Sequence, residues 1–268
     1  MVNDGSTDNT LEILEGFSGK IRVFSQENGG ESSAVNVGFQ AAKGEFVLVV
    51  SADDPICTPK LFQNVVEFFE KNPKAVAWYP DWNMIDSRGR KIKSVLLPEF
   101  SFRDLFENNR VLPGPGTWIR KKVALRIGGR NPKWIYVGDY DFWLRLAMEG
   151  EIVHRPGLLA QWRKHFASTS ISHRGELMAK ERVEVIDSFI ENYESELSGF
   201  SKSLAKANSR YYAARLGFFS RDVEARKLAF TAIRLNYKVI RISRLHEFAF
   251  MLSFPLSKQL IDVFRKES

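Results

Sequence analysis

Cysteine is nearly absent: the 268 residues contain one, Cys57. A single thiol makes no internal disulfide and no cysteine-based zinc site, and such usage fits a reducing compartment. Long apolar runs are missing too. Nothing approaches the ~20 residues of a membrane-spanning helix. The longest candidate, FAFMLSFPL at 248–256, is short and contains Pro255. The opening MVNDGSTDNT lacks the charged start and apolar stretch of a secretory leader, so none is expected. There is no internal repeat and no low-complexity stretch. No helix-turn-helix, RNP or zinc signature accompanies the basic residues, which argues against nucleic acid as the partner.

What is present reads as a folded, globular chain. Hydrophobic residues make up 44% and charged residues 26%, which excludes wholesale disorder and fibrous repeats. The length suits one large domain, or a domain with an appendage. The net charge of +7 is unevenly placed. Residues 200–268 hold 14 Lys/Arg against 5 Asp/Glu, whereas residues 1–199 hold 25 against 27. A basic tail on a near-neutral body suits an anionic surface.

The first half alternates between two periodicities. IRVFSQ (21–26), EFVLVV (45–50) and AVAWYP (75–80) are strand-like runs. SSAVNVGFQAA (32–42) reads as a helix stopped near Gly44. LFQNVVEFFEKN, after Pro59, has the apolar spacing of a helix, and Pro73 follows it. Alternation of this kind predicts an α/β sheet with mainly parallel strands. Ser87-Arg88-Gly89-Arg90 reads as a hairpin turn, YDFWLRLAMEG (140–150) as an amphipathic helix, and LLAQWRKH (158–165) as a strand. From about residue 176 strand patterns give way to helical spacing. The expected domains are therefore 1–174 and a basic helical region 175–268.

Three segments carry chemistry-bearing side chains. The apolar strand EFVLVV runs into Ser51-Ala52-Asp53-Asp54. Ligands in open α/β sheets sit beyond the carboxyl ends of strands, and hard divalent cations favour paired carboxylates there. The alternative is a helix cap, which Thr58 also provides. Asn3-Asp4-Gly5-Ser6-Thr7-Asp8-Asn9-Thr10 reads as a strand end, a turn and a helix start, or as a plain Asx turn with a cap. Gly138-Asp139-Tyr140-Asp141 opens a helix, where carboxylates either complement the dipole or serve as a general base.

Taken together and in order, these segments resemble the family 2 glycosyltransferases, which have the GT-A fold. The resemblance covers residues 1–172. NDGSTDNT resembles the nucleotide-binding turn, and Asn28-Gly29-Gly30 through Ala34, Asn36 and Gly38 approximate the following N-x-G-x-S-x-A-x-N-x-G pattern. SADD resembles the DXD-type metal motif. PGPGTWIRKKVALRIGG (113–129) resembles the acceptor-side segment, GDYDFWLRL the base motif, and WRKHFASTS (162–170) the strand and loop that close the site. The resemblance implies a Rossmann-like sheet with helices on both faces, followed by the C-terminal helices. It implies that Asp4 bonds the base of the nucleotide, that Asn36 and Asp53 lie in the nucleotide-sugar site, and that Asp54 ligates Mn²⁺ or Mg²⁺. Asp139 would be the catalytic base. His165 would lie at the metal or diphosphate, or contact phosphate or solvent.

The implied reaction is inverting transfer from a nucleotide-sugar donor, a UDP-sugar foremost. The acceptor would be a hydroxyl of a glycan or lipid-linked molecule in cell-envelope or exopolysaccharide synthesis. The rival expectation is an inactive, truncated relative that only binds nucleotide sugar or a partner. The chain departs from the pattern in ways that motivate it. Asn3 replaces an acidic residue, Val35 precedes Asn36, Gly138 stands where Glu is usual, and the family's first strand and helix are expected to be missing. The tail reads either as a bundle with a solvated basic face or as an interfacial segment. Its Lys238, Arg241, Arg244, Lys258, Arg265 and Lys266 interleave with apolar residues between 248 and 256. The expected location is the cytoplasm, with peripheral contact at the inner face of the membrane.

Overall fold

A computed structural model describes residues 1–56, 58–164, 175–219, 224–240 and 247. Two compact units divide the chain. The first holds residues 1–102 and 111–166, the second residues 103–110 and 167–268. No single cut in the sequence separates them, because 103–110 belongs with the helices of the second unit.

The first unit opens with strand β1 (Val2–Asp4), helix α1 (Thr10–Glu15), strand β2 (Phe24–Gln26) and helix α2 (Glu31–Ala41). β1 and β2 pair in parallel, with Val2 opposite Phe24. Strand β3 (Phe46–Leu48), helix α3 (Val65–Lys71), strand β4 (Ala75–Ile85) and strand β5 (Lys91–Val95) follow. Helix α4 (Phe102–Phe106) then passes into the second unit, and the chain returns to the first with strand β6 (Trp118–Arg120), helix α5 (Lys121–Arg126), helix α6 (Gly138–Ala147) and strand β7 (Glu151–Arg163). The larger sheet runs β3-β6-β4-β5, with β7 parallel to β4 over nearly its whole length. β3 and β6 are antiparallel, as are β6 and β4 and the β4–β5 hairpin, so the larger sheet is mainly antiparallel and not mainly parallel as the alternation predicts: β6 and β5 join it without a helical crossover of their own. β4 is the spine of this sheet, and its first seven residues are all buried. Burial on both faces is why AVAWYP reads as a continuous apolar run rather than an alternating one.

The structure corrects three element boundaries. The strand read as 75–80 continues through Pro80 to Ile85. Its register against β7 shifts between Pro80 and Asp81 and again between Asp81 and Trp82. Such irregularities are where a strand tolerates a proline. The helix read from residue 61 starts at Val65, because Asn64 takes a left-handed conformation with φ 61°. Before it, Pro59–Leu61 forms a 3₁₀ turn capped by Thr58, whose Oγ1 accepts the Lys60 N–H at 3.2 Å. The strand read as 45–50 is a ladder only over 46–48, where Trp118–Arg120 supplies its partner.

The core of this unit is aromatic and pinned by a buried cation. Leu61, Val65, Phe69, Ala75 and Trp78 form one cluster. Arg120, 8% exposed, lies against the stacked rings of Phe46 and Phe69. It donates to the carbonyls of Ala75 and Phe69, each at 3.2 Å, and to Glu45 Oε1 at 3.2 Å. Spreading the guanidinium over carbonyls, rings and one carboxylate satisfies a charge that would be costly if buried alone.

The second unit gathers 103–110 with helices α7 (Gly175–Asn192), α8 (Lys202–Phe219) and α9 (Ala225–Leu235). Small residues let α8 and α9 approach closely: Ala207, Ala214, Ala229 and Ala232 pack with Tyr211 and Val239. Asn208, fully buried on α8, donates to the Glu107 carbonyl at 2.7 Å. Arg210 grips Asp187 of α7 through two bonds of 3.0 and 2.6 Å. Among the described residues no helix is long and apolar enough to cross a membrane. The basic and apolar residues of the tail from 241 onward, apart from 247, lie outside the described residues, as does Cys57.

Candidate active site

The end of β3 is followed by a tight acidic turn. The Asp54 N–H donates to the Ser51 carbonyl at 3.1 Å, closing Ser51–Asp54. The last residue of β7 stitches this turn down. The Arg163 N–H donates to Asp54 Oδ1 at 2.7 Å, and Arg163 Nε donates to the Asp53 carbonyl at 2.8 Å. The same guanidinium reaches the carbonyls of Asp86 and Ser87 in the β4–β5 hairpin. The two adjacent aspartates therefore differ in surroundings. Asp54 lies on the wall of a pocket that Asp53 does not line.

The acidic opening of α6 also separates into two environments. Asp139 lines the same pocket, with its Oδ1 accepting the Tyr140 N–H at 2.7 Å. Asp141 is buried and turned onto Arg145, one helical turn along, at 2.9 and 2.6 Å. Arg145 in turn donates to the carbonyls of Ile127 and Gly129 at 2.7 and 2.8 Å. An i,i+4 Asp–Arg spacing is the sequence signal for that anchor. Gly138 is packed tightly: a Cβ there would sit 2.4 Å from Ser32 Oγ. Ser32 thus fills space that a larger residue at 138 would need.

Asn36 faces the same loop from α2. Its side-chain amide donates to the Arg130 carbonyl at 2.7 Å and its oxygen accepts the Arg130 N–H at 2.8 Å. Both ends of the amide are thus committed to backbone, and Asn36 is not among the pocket-lining residues. The held residue, Arg130, does line the pocket. Its Nη1 pairs with Glu31 at 2.5 Å, while its buried Nε has no hydrogen-bond partner among the described residues. Arg130, Glu31 and Gln161 line the pocket outside the quoted motifs, while Trp143 and Trp162 lie within GDYDFWLRL and WRKHFASTS without a role having been read for them.

In the first turn, Asn3 Oδ1 accepts the Ser6 N–H at 3.2 Å, the Asx arrangement that the sequence admits. Asp4 turns the other way. Its Oδ1 accepts Gln26 Nε2 at 2.7 Å and the Gly29 N–H at 2.9 Å, so it anchors the loop before α2. Gly5, at φ 71°, lets that loop approach: a Cβ would lie 2.7 Å from Asn28 N. Asp4 does not line the pocket either, and His165 lies outside the described residues.

The pocket holds about 270 Å³. Its walls are the end of β3, the first turn of α6, the Ala160–Trp162 stretch of β7 and the Pro113–Thr117 loop. That loop owes its path to Gly116, at φ 80°. A Cβ there would sit 2.8 Å from Ala160 Cβ and 2.9 Å from Pro80 Cγ. Thr117 closes the loop, its Oγ1 donating to the Gly114 carbonyl at 2.6 Å. Three carboxylates (Glu31, Asp54 and Asp139), the Arg130 cation that Glu31 pairs with, and tryptophan rings thus face one cavity at the carboxyl end of β3, where open α/β sheets hold ligands. Among the described residues no three His, Cys, Asp or Glu side chains cluster as a ready metal cage. Cations that work with phosphates commonly take one or two protein carboxylates, so Asp54 fits that donor set without such a cage.

Residues 1–128 match the family model described as glycosyl transferase family 2. The chain is 27% identical over 213 residues to the uncharacterized glycosyltransferase RT0329 of Rickettsia typhi, covering 77% of this chain and 63% of that protein. It therefore spans less than two thirds of that relative's length. Among solved structures, TarS 1-349 of S. aureus superposes with a TM-score of 0.58 at 18% identity, covering 89% of this chain and 71% of that one. The mannosyltransferase PcManGT of Pyrobaculum calidifontis, in complex with GDP-Man and Mn²⁺, gives 0.51 at 15% identity, covering 94% and 74%. The chain thus has the GT-A fold of these structural neighbours, and its residues 1–128 are similar to glycosyl transferase family 2.

Proposed function

We propose that the pocket binds a nucleotide-sugar donor and that the chain transfers the sugar, with inversion, to a hydroxyl of a glycan or lipid-linked acceptor. The observation that carries this reading is the convergence of Asp54 and Asp139, far apart in sequence, on the walls of one cavity. In the proposed step Asp139 accepts the proton of the acceptor hydroxyl. The acceptor oxygen forms the new bond to the anomeric carbon as the bond to the diphosphate oxygen breaks, and the nucleoside diphosphate leaves with that electron pair. General-base assistance of this kind is worth roughly 10²- to 10⁴-fold. Asp54 would hold Mn²⁺ or Mg²⁺, and a cation bound there supplies neutralisation of charge on the diphosphate. The Mn²⁺ and GDP-Man bound by PcManGT support a cation and a nucleotide sugar as the class of ligand.

Within this reading Arg163 keeps the Ser51–Asp54 turn at the pocket rim, and Arg130, paired with Glu31, brings a guanidinium to the pocket wall. Trp143 and Trp162 offer flat apolar faces to a sugar ring and help exclude water. Asp4, Asn36, Asp53 and His165 remain proposed donor-site residues, with Asp4 and Asn36 acting through the loops they hold. The test is Asp139→Asn. Transfer should fall by roughly 10²- to 10⁴-fold while donor binding is kept. An unchanged transfer rate in a folded variant removes Asp139 from the reaction.

A second reading, a relative that binds nucleotide sugar without transferring it, is favoured by Gly138 standing where the family has Glu. The close packing of Gly138 on Ser32 supports a settled replacement rather than a vacant position. Saturable donor binding with no turnover across a panel of acceptors would select this reading.

A further inference from the structure

The β4–β5 hairpin stands beside the pocket and carries positive charge that the proposed reaction does not use. Residues 86–93 hold Arg88, Arg90, Lys91 and Lys93 against a single carboxylate, Asp86, and all four cations are exposed. Asp86 is committed to the turn. Its Oδ1 accepts the Arg88 and Arg90 N–H groups, each at 2.9 Å, and its Oδ2 pairs with Arg90 Nε at 2.7 Å. Among the described residues Arg88, Lys91 and Lys93 have no carboxylate partner. Arg163 fixes this turn to the pocket rim, since one guanidinium reaches the Asp86 and Ser87 carbonyls and the Asp53 carbonyl. The sheet register leads from the cations to the cavity. Lys93 lies opposite Met84, and Met84 opposite Trp162, so the three form one row on one face of β5, β4 and β7. Two strand spacings separate the ends of that row, about 10 Å. Trp162 lines the pocket and meets Trp82 edge to face, with ring centroids 5.9 Å apart. Trp82 and Met84 are only half-buried.

Lysines on an edge strand guard it against pairing with another chain, which accounts for Lys91 and Lys93. It does not account for Arg88 in the turn, nor for half-buried aromatic surface that continues into the cavity. Flat rings suit the face of a sugar, and Arg and Lys without carboxylate partners suit carboxylate or phosphate. A lipid surface would need exposed apolar side chains among the cations. Ile92, the exposed apolar residue within β5, alternates with Lys93 and so lies on the opposite face from this row. We propose that the strip from Trp162 to the hairpin cations docks the acceptor, and that the acceptor is a glycan bearing carboxylate or phosphate near its receiving hydroxyl. This rests on the transferase reading of the pocket and adds the acceptor's chemical class to it. Trp82 and Trp162 take a sugar face, Arg88 and Lys93 take the negative charge, and the hydroxyl end extends to the cavity that Asp139 lines.

Fluorescence anisotropy on the full chain tests this, with labelled oligogalacturonate as the carboxylate probe, phosphorylated dextran as the phosphate probe and neutral dextran as the uncharged one. One or both charged glycans should bind, roughly tenfold or more tighter than neutral dextran. Which of the two binds tells carboxylate from phosphate. The double variant Arg88→Glu/Lys93→Glu, altered only at exposed side chains, should weaken that binding by about tenfold or more. Lys227→Glu/Arg234→Glu, which reverses two exposed cations of α9, should leave it within about twofold, as expected for charges outside the contact. Binding of neutral dextran as tight as the charged glycans, no loss in the hairpin variant, or an equal loss in the α9 variant would overturn the proposal. So would an equal loss, in the hairpin variant, of binding to polyglutamate or to phosphatidylglycerol vesicles, which would assign the strip to an acidic protein or to lipid. UDP and GDP binding with Mn²⁺, measured on the same parent chain, separates the two readings. Nucleotide binding without charged-glycan binding overturns the hairpin proposal, and charged-glycan binding without nucleotide binding overturns the transferase reading beneath it.

Discussion

At the residue scale, single carboxylates divide into those that hold the fold and those that face the cavity. Asp141 and Asp81 are of the first kind. Asp81 is 4% exposed and accepts the Leu97 and Gly157 N–H groups, each at 2.8 Å, with His154 Nε2 at 2.9 Å. Burial works to raise its carboxyl, but these partners outweigh it and leave it below the ordinary carboxylate range. Asp81→Asn should therefore cost about 1–3 kcal/mol at pH 7, because fewer acceptor sites face the same donors. A lowered native value means the stabilisation is complete above the unfolded carboxyl's range and is lost as pH falls through the native value. Urea unfolding at pH 7 and pH 3 should show a wide gap between parent and variant that narrows at the lower pH. Asp139 and Asp54 are of the second kind. Their residue types and motif context were legible in the sequence, and so was the existence of an acidic turn after β3. Which of Asp53 and Asp54 faces the cavity was not, because it depends on Arg163 arriving from a strand remote in sequence.

At the element scale, the long periodic segments were the readable ones. α2, α6 and the first part of β4 lie where their patterns put them. The short β6 and α5 passed unread inside 98–136, since three residues of strand carry little periodicity and are fixed by their neighbours on β3 and β4. The hairpin around 87–90 was legible, but Pro80 concealed that its first strand is continuous with 75–80, and Asn64 delayed α3. The loop joining α5 to α6 is held by side chains from two helices, Asn36 and Arg145. Gly129 within it has φ 69°, and a Cβ would fall 2.2 Å from Asn36 Oδ1. Gly129→Ala must then strain the backbone and displace Asn36, at roughly 2 kcal/mol or more. Chemical denaturation measures this, and because Arg130 is the next residue, donor affinity should weaken in the same variant.

At the scale of the molecule, charge and chemistry are segregated along the chain. The part that matches the family is near neutral, while residues 200–268 carry 14 basic against 5 acidic side chains. Such asymmetry acts over a Debye length of about 10 Å at 0.1 M salt, so any contact it makes with an anionic surface is salt-sensitive. The full chain is expected to sediment with phosphatidylglycerol vesicles at low salt, to be released as salt is raised, and to ignore neutral phosphatidylcholine vesicles. Equal sedimentation with both would assign the contact to apolar residues instead.

In the proposed function one cavity, carrying Asp54 and Asp139, takes a nucleotide-sugar donor with a divalent cation. Calorimetric titration of UDP and GDP into the chain, with and without Mn²⁺, addresses it most directly when repeated on Asp54→Ala and Asp139→Asn. The predicted result is saturable binding of one of the two nucleotides that requires Mn²⁺, weakens at least tenfold in Asp54→Ala and persists in Asp139→Asn. Binding that is indifferent to Mn²⁺ and to Asp54, or no binding of either nucleotide, would contradict it.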